Sequence, residues 1–492
     1  MKIALVIPRN GSENEKSFYD YKFFSKFLFT KKYFSYLLAV PTLASLTPPG
    51  HEVRVFDENI EDVDYSWGAD LVGISVRTIF AVRAYSIADR FRSMGVKVVL
   101  GGIHPSMCTE EALLHADAVV VGEAEHVWAG LLDDAEKGRL KKVYKAAEKI
   151  DLKKQPAPAR DVLSMSRYFS DIVQTTKGCP FQCEFCSVFA FDGKDIRSKT
   201  VAQLLSEIKG INRDAGFKKK SIFFADDNII SDRKFAREFF QSLKGLNLNW
   251  SCQASINIAQ DTEMLRLMKE AGCGAILVGF ESVSQKNLAA MDKKINQRLD
   301  YAEAIKKIQS HGILVHGSFI LGYDFDTAES FDELVAFIDE SKLLMPLINI
   351  LTPFPGTKLF QRFDEAGRIT DKDWSRYDAK TVVFKPALMT AEELHKGYLS
   401  VIRRVYSFDS IYSKLKHYWS IDFWKRSNEV DPIKFKYRLL FALRLISLLF
   451  SANTARSKFI LKILPKVFNP RVRVSTILTL MAYNDYAYSG RV

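Results

Sequence analysis

Short apolar runs alternate with helical patterns over the first 140 residues. Residues 81–95 (AVRAYSIADRFRSMG) repeat apolar positions at helical period and end at a glycine, which is typical of a helix C-terminus. The apolar runs fall at 2–7, 52–57, 71–76, 96–102 and 118–123. Buried strands that alternate with helices predict a doubly wound, Rossmann-like α/β domain over 1–140, with its ligand edge beyond the carboxyl ends of the strands.

A second series of apolar runs follows a basic, proline-containing stretch. That stretch, 141–168, lacks a long apolar period and is predicted to be a linker. The later runs fall at 171–176, 221–226, 250–255, 275–280, 314–322 and 348–353. Six βα units predict a partial (β/α)6 barrel over 169–369, with an active site at the carboxyl ends of its strands. Residues 370–492 are predicted to form a basic, mostly helical extension.

Composition and charge narrow the class of protein. With 492 residues, 47% hydrophobic and 26% charged, the chain is expected to be globular with several domains. Residues 401–492 hold 17 Lys+Arg and 5 Asp+Glu, a difference of 12 that equals the net charge of +12, so the first 400 residues are neutral. A neutral body argues against nucleic-acid binding.

The apolar pattern also bears on location. No window of about 20 uncharged apolar residues occurs, so no membrane-spanning helix is expected. The apolar start, MKIALVI, is followed at once by Pro8 and Arg9, too short for the apolar core of a signal peptide. We therefore expect a cytoplasmic protein.

Three of the six cysteines, Cys179, Cys183 and Cys186, lie within eight residues with the spacing C-x3-C-x2-C. The other three are scattered, unlike the disulfide framework of a secreted protein. Three thiolates on a tight loop can hold three irons of a cubane cluster and leave the fourth iron open. A zinc site or a group of packed core cysteines is the alternative, although structural zinc sites take four ligands.

This loop, with Phe185 before its last cysteine, resembles the signature of radical S-adenosylmethionine (SAM) enzymes, and the resemblance extends over roughly residues 170–385. It implies a 4Fe-4S cluster whose open iron binds SAM and whose electron cleaves it. It also implies cofactor contacts near strand ends by Phe185, Asp226, Asp227, Ser255, Asn257 and Glu281. Carboxylates at Asp226 and Asp227 could accept hydrogen bonds from the ammonium group of SAM. Solvated or capping roles are the alternative for Asp226 and Glu281.

The first domain, placed before such a barrel, resembles a cobalamin (B12)-binding domain. The resemblance implies that its strand ends contact cobalamin through Ser75, Thr78, Gly101, Gly102, His104, Gly122 and Glu123. The Asp-x-His-x-x-Gly motif that supplies a histidine to cobalt is absent, as is common in this branch. A nucleotide-binding or vestigial domain is the alternative.

Together the two domains resemble the branch of cobalamin-binding radical SAM enzymes that contains hopanoid and bacteriochlorophyll methylases. The resemblance implies a C-methyltransferase that acts on an unactivated carbon of a hydrophobic or lipid-like substrate. It also implies an electron donor such as flavodoxin or ferredoxin. A cobalamin-dependent cyclase or oxidoreductase, and a non-catalytic cobalamin or redox sensor, are the alternatives.

Two segments mix aromatic residues with lysine and arginine, at 21–38 and 408–467. Such a mixture suits the boundary between water and anionic lipid. It also suits a helical lid that packs on the barrel and turns a basic face outward. The sequence leaves both open, and peripheral contact with the inner membrane surface is one expectation.

Overall fold

Two six-stranded parallel sheets organise the protein, seen here in a computed structural model. The structure describes residues 1–9, 33–213, 221–297, 299–428, 435–449, 454–469 and 472–488. Most of the first basic apolar segment predicted above, 21–38, lies outside these residues.

The first sheet has the strand order β2-β1-β3-β4-β5-β6, and all its strands are parallel. Its strands are β1 (Lys2–Ile7), β2 (Glu52–Asp57), β3 (Leu71–Ser75), β4 (Lys97–Gly101), β5 (Ala118–Val121) and β6 (Val143–Lys145). Its helices are α1 (Ala39–Leu46), α2 (Ala81–Ser93), α3 (Ile103–Met107), α4 (Thr109–His115) and α5 (Trp128–Glu136). The order reverses between β1 and β3, which confirms the doubly wound domain and marks the crevice where such sheets bind ligands.

One difference from the expectation lies in the predicted linker, 141–168. Val143–Lys145 forms β6 and pairs with β5, so the first sheet has six strands rather than five. Only Tyr144 of β6 is buried, because a three-residue edge strand turns its other two side chains outward. The sequence therefore contains no apolar run that would predict β6.

The second sheet runs in the order β14-β13-β12-β11-β10-β7, all parallel, as in the predicted partial barrel. The strands from here on are β7 (Ser170–Val173), β8 (Thr176–Lys177), β9 (Arg197–Ser198), β10 (Ser221–Phe224), β11 (Asn249–Gln253), β12 (Cys273–Glu281), β13 (Leu314–Leu321) and β14 (Leu347–Ile350). The two short strands β8 and β9 form a separate antiparallel hairpin.

Helices cover the outside of the barrel and begin at well-capped residues. They are α6 (Ser187–Phe191), α7 (Val201–Arg213), α8 (Arg233–Leu243), α9 (Thr262–Glu270), α10 (Gln285–Ala290), α11 (Tyr301–Ser310), α12 (Ala328–Glu340) and α13 (Lys358–Glu365). Asp232, Asp261 and Asp300 each accept a backbone N–H from the first turn of the helix that follows. Such caps fix where each helix starts and hence where the preceding strand-end loop lies.

The C-terminal region is helical, as predicted, and packs on the barrel. Its helices are α14 (Ala391–Val405), α15 (Phe408–Ser420), α16 (Phe423–Arg426), α17 (Phe435–Leu449), α18 (Thr454–Ile463) and α19 (Val474–Tyr488). Tyr398, Ile411 and Tyr418 are buried in the same hydrophobic core as the barrel strands. Within the described ranges, no helix is long and apolar enough to cross a membrane.

The chain returns to the first domain after leaving the barrel. Trp374, Tyr377 and Val383 are buried in one hydrophobic core with Ala84 and Phe91 of α2. The Trp374 indole N–H also donates to the Glu111 carboxylate of α4 at 2.8 Å. The segment that follows the barrel thus packs against the first domain and ties the two parts of the chain together.

Candidate active site

The cysteine loop leaves the β8–β9 hairpin at the carboxyl end of the barrel. Gly178 opens the loop with φ +93°, and a Cβ at this position would lie 2.4 Å from the Asp195 carbonyl oxygen. Only glycine fits such a turn without strain. The Cys179 N–H donates to the Gly193 carbonyl at 3.2 Å, and the Cys186 N–H donates to the Cys183 carbonyl at 3.1 Å. The loop conformation is therefore set by the backbone.

The three thiols of this loop are free, and they lie close enough to affect one another. Burial raises the pKa of each, that of Cys186 to about 11. A bound metal would be needed to hold them as thiolates. Among the described residues, no three His, Cys, Asp or Glu side chains form a ready-made single-ion site. Three soft sulfur donors on one loop are the donor set of an iron–sulfur cluster with one open corner.

A lysine that the sequence did not single out lies beside these thiols. The Lys293 Nζ donates to the Glu281 Oε1 at 3.0 Å and lies 6.0 Å from the centre of the Phe185 ring. The side chains of Lys293 and Glu281 are 16% and 9% exposed. Although burial disfavours its charge, Glu281 and the thiols hold the pKa of Lys293 above the ordinary lysine value. No sequence motif identifies Lys293, because it follows α10 in an irregular segment.

The two adjacent aspartates predicted to bind SAM have different surroundings. Asp226 is completely buried, and it accepts hydrogen bonds from both the N–H and the hydroxyl of Thr175 and of Thr176. Its carboxylate is thus hydrogen-bonded to the turn before the cysteine loop. These bonds position that turn, and a contact of Asp226 with SAM stays a prediction.

Asp227 is the next residue along the chain. Its Oδ2 is buried without a hydrogen-bond partner in the part of the chain that the structure describes. Burial and the neighbouring Asp192 and Asp226 raise the pKa of Asp227 to about 7. An unpartnered buried carboxylate oxygen beside the cysteine loop is suited to an ammonium group, whose charge would compensate its own.

Ser255 and Asn257, which are predicted to contact SAM, form a polar group just after β11. The Ser255 hydroxyl donates to the Asn257 Oδ1 at 2.7 Å, and the Ser255 N–H donates to the Asn228 Oδ1 at 3.0 Å. Ser255 and Asn257 are only partly buried, so hydroxyl and amide groups remain accessible at the barrel mouth. Asn228 is a supporting residue that the sequence pattern did not identify.

Alternate residues of the barrel strands are partly exposed and line an interior space. Gln253, Leu277 and His316 lie side by side, in register, on the neighbouring strands β11, β12 and β13. Burial lowers the pKa of His316 to about 4, so its imidazole is neutral. Apolar side chains line the same space on other strands, namely Phe223, Ile320 and Leu347. Polar residues, namely Ser251, Ser318 and Asn349, alternate along these strands in the same way, so the barrel interior combines apolar side chains with hydrogen-bonding groups.

The strand ends of the first domain bring several predicted cobalamin contacts together. The Val76 N–H donates to the Gly101 carbonyl at 2.8 Å, which sets Ser75 beside Gly101. Gly102 has φ +98°, and a Cβ there would lie 2.9 Å from the Val76 carbonyl oxygen. A Cβ at Gly122 would meet nothing within 4 Å, so the space over this turn is open. Thr78 begins the next turn and is buried.

Two residues predicted to contact cobalamin, His104 and Glu123, make other contacts within the protein, and their contact with cobalamin stays a prediction. The His104 side chain is completely buried, and its Nε2 lies 3.0 Å from the Tyr85 hydroxyl and 3.5 Å from Glu111. Burial lowers the pKa of His104, so the ring is neutral and packs beneath the strand edge. Glu123 is bound by the Arg197 guanidinium at 2.9 Å and by the Lys177 Nζ at 3.2 Å.

The contacts of Glu123 with Lys177 and Arg197 form an ion network between the two domains. Glu123 follows β5 of the first domain, whereas Lys177 and Arg197 belong to the β8–β9 hairpin that carries the cysteine loop. Lys177 also pairs with Glu125 at 3.0 Å. Burial alone would raise the pKa of Glu123, but Lys177, the Ile150 N–H and Arg197 together hold it below its ordinary value. The ligand edges of both domains therefore meet at the cysteine loop.

Comparisons with known proteins cover both domains. The profile of the radical SAM superfamily matches residues 173–338, that of the B12 binding domain matches 43–132, and a domain of unknown function, DUF4070, matches 357–488. The bacteriochlorophyllide d C-8(2)-methyltransferase of Chlorobaculum tepidum is 37% identical over 74% of this chain and 85% of that protein. The hopanoid C-2 methylase of Rhodopseudomonas palustris is 33% identical over 67% of this chain and 64% of that protein.

A solved structure shares the whole architecture. The radical S-adenosylmethionine methyltransferase TsrM from Kitasatospora setae, with cobalamin and a 4Fe-4S cluster bound, aligns with a TM-score of 0.61. The alignment covers 95% of this chain and 98% of that chain at 14% sequence identity. Similarity at this level of identity supports the fold.

Proposed function

We propose that this chain, which belongs to the cobalamin-binding branch of the radical SAM superfamily, is a C-methyltransferase that acts on an unactivated carbon of a hydrophobic substrate. The observation that carries the proposal is the three-thiol loop at the barrel mouth, which lies between the unpartnered Asp227 carboxylate and the strand ends of the first domain. The relatives named bacteriochlorophyllide and hopanoid methylases support a large apolar substrate.

Each group of residues has a role in this proposal. Cys179, Cys183 and Cys186 hold the cluster, and Asp227 accepts the ammonium group of SAM. In this family the cluster supplies the electron that cleaves SAM, and cobalamin carries the methyl group. An electron donor of the flavodoxin or ferredoxin type belongs to the proposal, because the cluster must first be reduced. Ser255 is placed to bind hydroxyl groups of SAM.

Cobalamin is proposed to lie over the strand ends of the first domain. Ser75, Gly101, Gly102 and Gly122 form a surface with few side chains, where a large flat ring could approach the backbone. The substrate is proposed to occupy the space between this surface and the barrel interior. Phe223 and Leu277 would exclude water from the reacting carbon, while Gln253 and His316 would orient a polar group.

Anoxic reconstitution with methyl-labelled SAM tests the proposal. Reduced protein should cleave SAM to 5′-deoxyadenosine, and bacteriochlorophyllide d or a hopanoid offered as acceptor should gain one labelled methyl group. The Cys183→Ala variant should lose both activities, because one cluster ligand is missing. SAM cleavage with an altered but unlabelled acceptor would instead favour a cyclase or oxidoreductase, and no cleavage at all would favour a sensor.

Contact with an anionic membrane surface is a second part of the proposal. Leu439, Leu443 and Ile446 recur at helical spacing on α17 and are 56%, 54% and 40% exposed. They belong to the region that carries the whole net charge of +12. Apolar side chains beside basic ones suit the interface of an anionic bilayer.

Sedimentation with vesicles of phosphatidylglycerol and phosphatidylcholine at low salt tests this contact. The full chain should pellet with the vesicles, and the double variant Leu439→Gln/Leu443→Gln should stay in solution. Leu114→Gln serves as the control, since Leu114 is 72% exposed on the first domain. A full chain that remains in the supernatant would contradict the membrane contact.

A further inference from the structure

Lys293 lies beside the cysteine loop, where it has no established role. Its Nζ is 6.0 Å from the centre of the ring of Phe185, the residue before Cys186. The Glu184 N–H of the same loop donates to the carbonyl of Met291, two residues before Lys293, at 3.1 Å. The ammonium group, paired with Glu281 at 3.0 Å, is therefore held against the segment that carries the cysteines.

The backbone is shaped to hold this pair. The register between β12 and β13 shifts between Gly279 and Glu281, and Glu281 has φ +65°, a left-handed conformation that is costly for a residue with a side chain. A Cβ at Gly279 would lie 2.2 Å from the Glu281 Oε1 and 3.4 Å from the Lys293 Nζ. A bulge, a strained residue and a required glycine together aim one carboxylate at one ammonium.

We propose that Lys293 is a positioning residue whose fixed positive charge makes the iron–sulfur cluster easier to reduce. The inference rests on the proposed cluster at Cys179, Cys183 and Cys186. Each thiolate adds negative charge, and reduction adds one electron more. A cation held in a site of low dielectric constant stabilises the reduced form more than the oxidised form. Glu281 both holds the lysine in place and offsets part of its charge.

The test is a potentiometric titration of reconstituted holoenzyme without SAM, in which electron paramagnetic resonance follows the reduced cluster. Lys293→Met should shift the midpoint potential to more negative values, whereas Lys293→Arg should remain near the wild type. Glu281→Gln should shift it the opposite way, because the lysine charge is then less compensated. Lys358→Met is the matched control: its Nζ lies 3.5 Å from the Gln182 side chain on the exposed side of the same loop, where solvent screens its charge.

Opposite shifts in Lys293→Met and Glu281→Gln, with no shift in the control, would support the inference even if one variant held less iron. Equal potentials in all variants, or shifts of the same sign in both, would overturn it while leaving the proposed function intact. A wild type that binds no iron–sulfur cluster would overturn the proposed function, and this inference with it.

Discussion

Replacing Glu123 by alanine removes the centre of the ion network between the first domain and the cysteine hairpin. The Glu123 side chain is 1% exposed, and the Lys177 and Arg197 side chains are 14% and 16% exposed. Removing one partner of a buried ion pair usually costs about 3–5 kcal/mol, because the other charge stays buried without compensation.

For Glu123→Ala, the expected loss in the free energy of unfolding is smaller. Lys177 keeps Glu125 at 3.0 Å, and Arg197 keeps the Ile150 carbonyl at 3.0 Å and Asp192 at 3.9 Å. We therefore expect a loss of roughly 2–3 kcal/mol, just below that range. Glu125→Ala is the matched comparison and should cost less, about 1–2 kcal/mol, because Glu123 still compensates Lys177.

Differential scanning calorimetry of the full chain measures the effect. Since the network joins two domains, Glu123→Ala should lower the first transition by several degrees and separate it from the second. The depressed pKa of Glu123 means that its contribution is present above the unfolded value of about 4.3 and is lost as the pH falls through the folded value. The transition temperatures of the wild type and of Glu123→Ala should thus converge in acid. A variant with wild-type transitions at pH 7 would refute the reasoning.

Three further outcomes are expected. SAM should bind more tightly above pH 7 than below it, because the Asp227 pKa near 7 leaves the carboxylate protonated in mild acid, and Asp227→Asn should abolish this dependence in equilibrium dialysis. Gly279→Ala should cost about 1–3 kcal/mol in urea unfolding, because the new Cβ overlaps the Glu281 carboxylate. Gly210→Ala should instead stabilise the chain by about 0.5–1 kcal/mol, because its Cβ meets nothing within 4 Å in the middle of α7. Unchanged binding across pH 7, or equal stabilities for the two glycine variants, would contradict these expectations.

Most of the fold could be predicted because the central strands of the first sheet are buried on both faces and those of the barrel on at least one, so nearly all of them appear as short, mostly apolar runs. Every predicted run corresponds to an observed strand, as Ile3–Ile7 illustrates. The exceptions are short strands. β6 has a single buried side chain, Tyr144, and β8 and β9 have two residues each, and patterns of that length cannot be distinguished from a loop.

The site was less predictable because sequence gives neighbours along the chain and not across space. Spacing identified the cysteines, but it could not decide between Asp226 and Asp227. The first is surrounded by hydrogen-bond donors, whereas an oxygen of the second has no partner among the described residues. His104 and Glu123 stand at strand ends as cobalamin contacts would, yet the His104 Nε2 lies against the Tyr85 hydroxyl and Glu123 pairs with Arg197. The His104 Nδ1 has no hydrogen-bond partner among the described residues. Lys293 is distant from the cysteines in the sequence and lies beside them only because the fold brings the two segments together.

The shared core formed by Trp374, Tyr377 and Val383 has a consequence for attempts to recombine this protein with its relatives. A chimaera that takes residues 1–140 from another member would exchange α2 without the aromatic residues that complete its packing. Exchange of substrate preference by swapping whole modules should therefore require two crossover points, one on either side of the barrel.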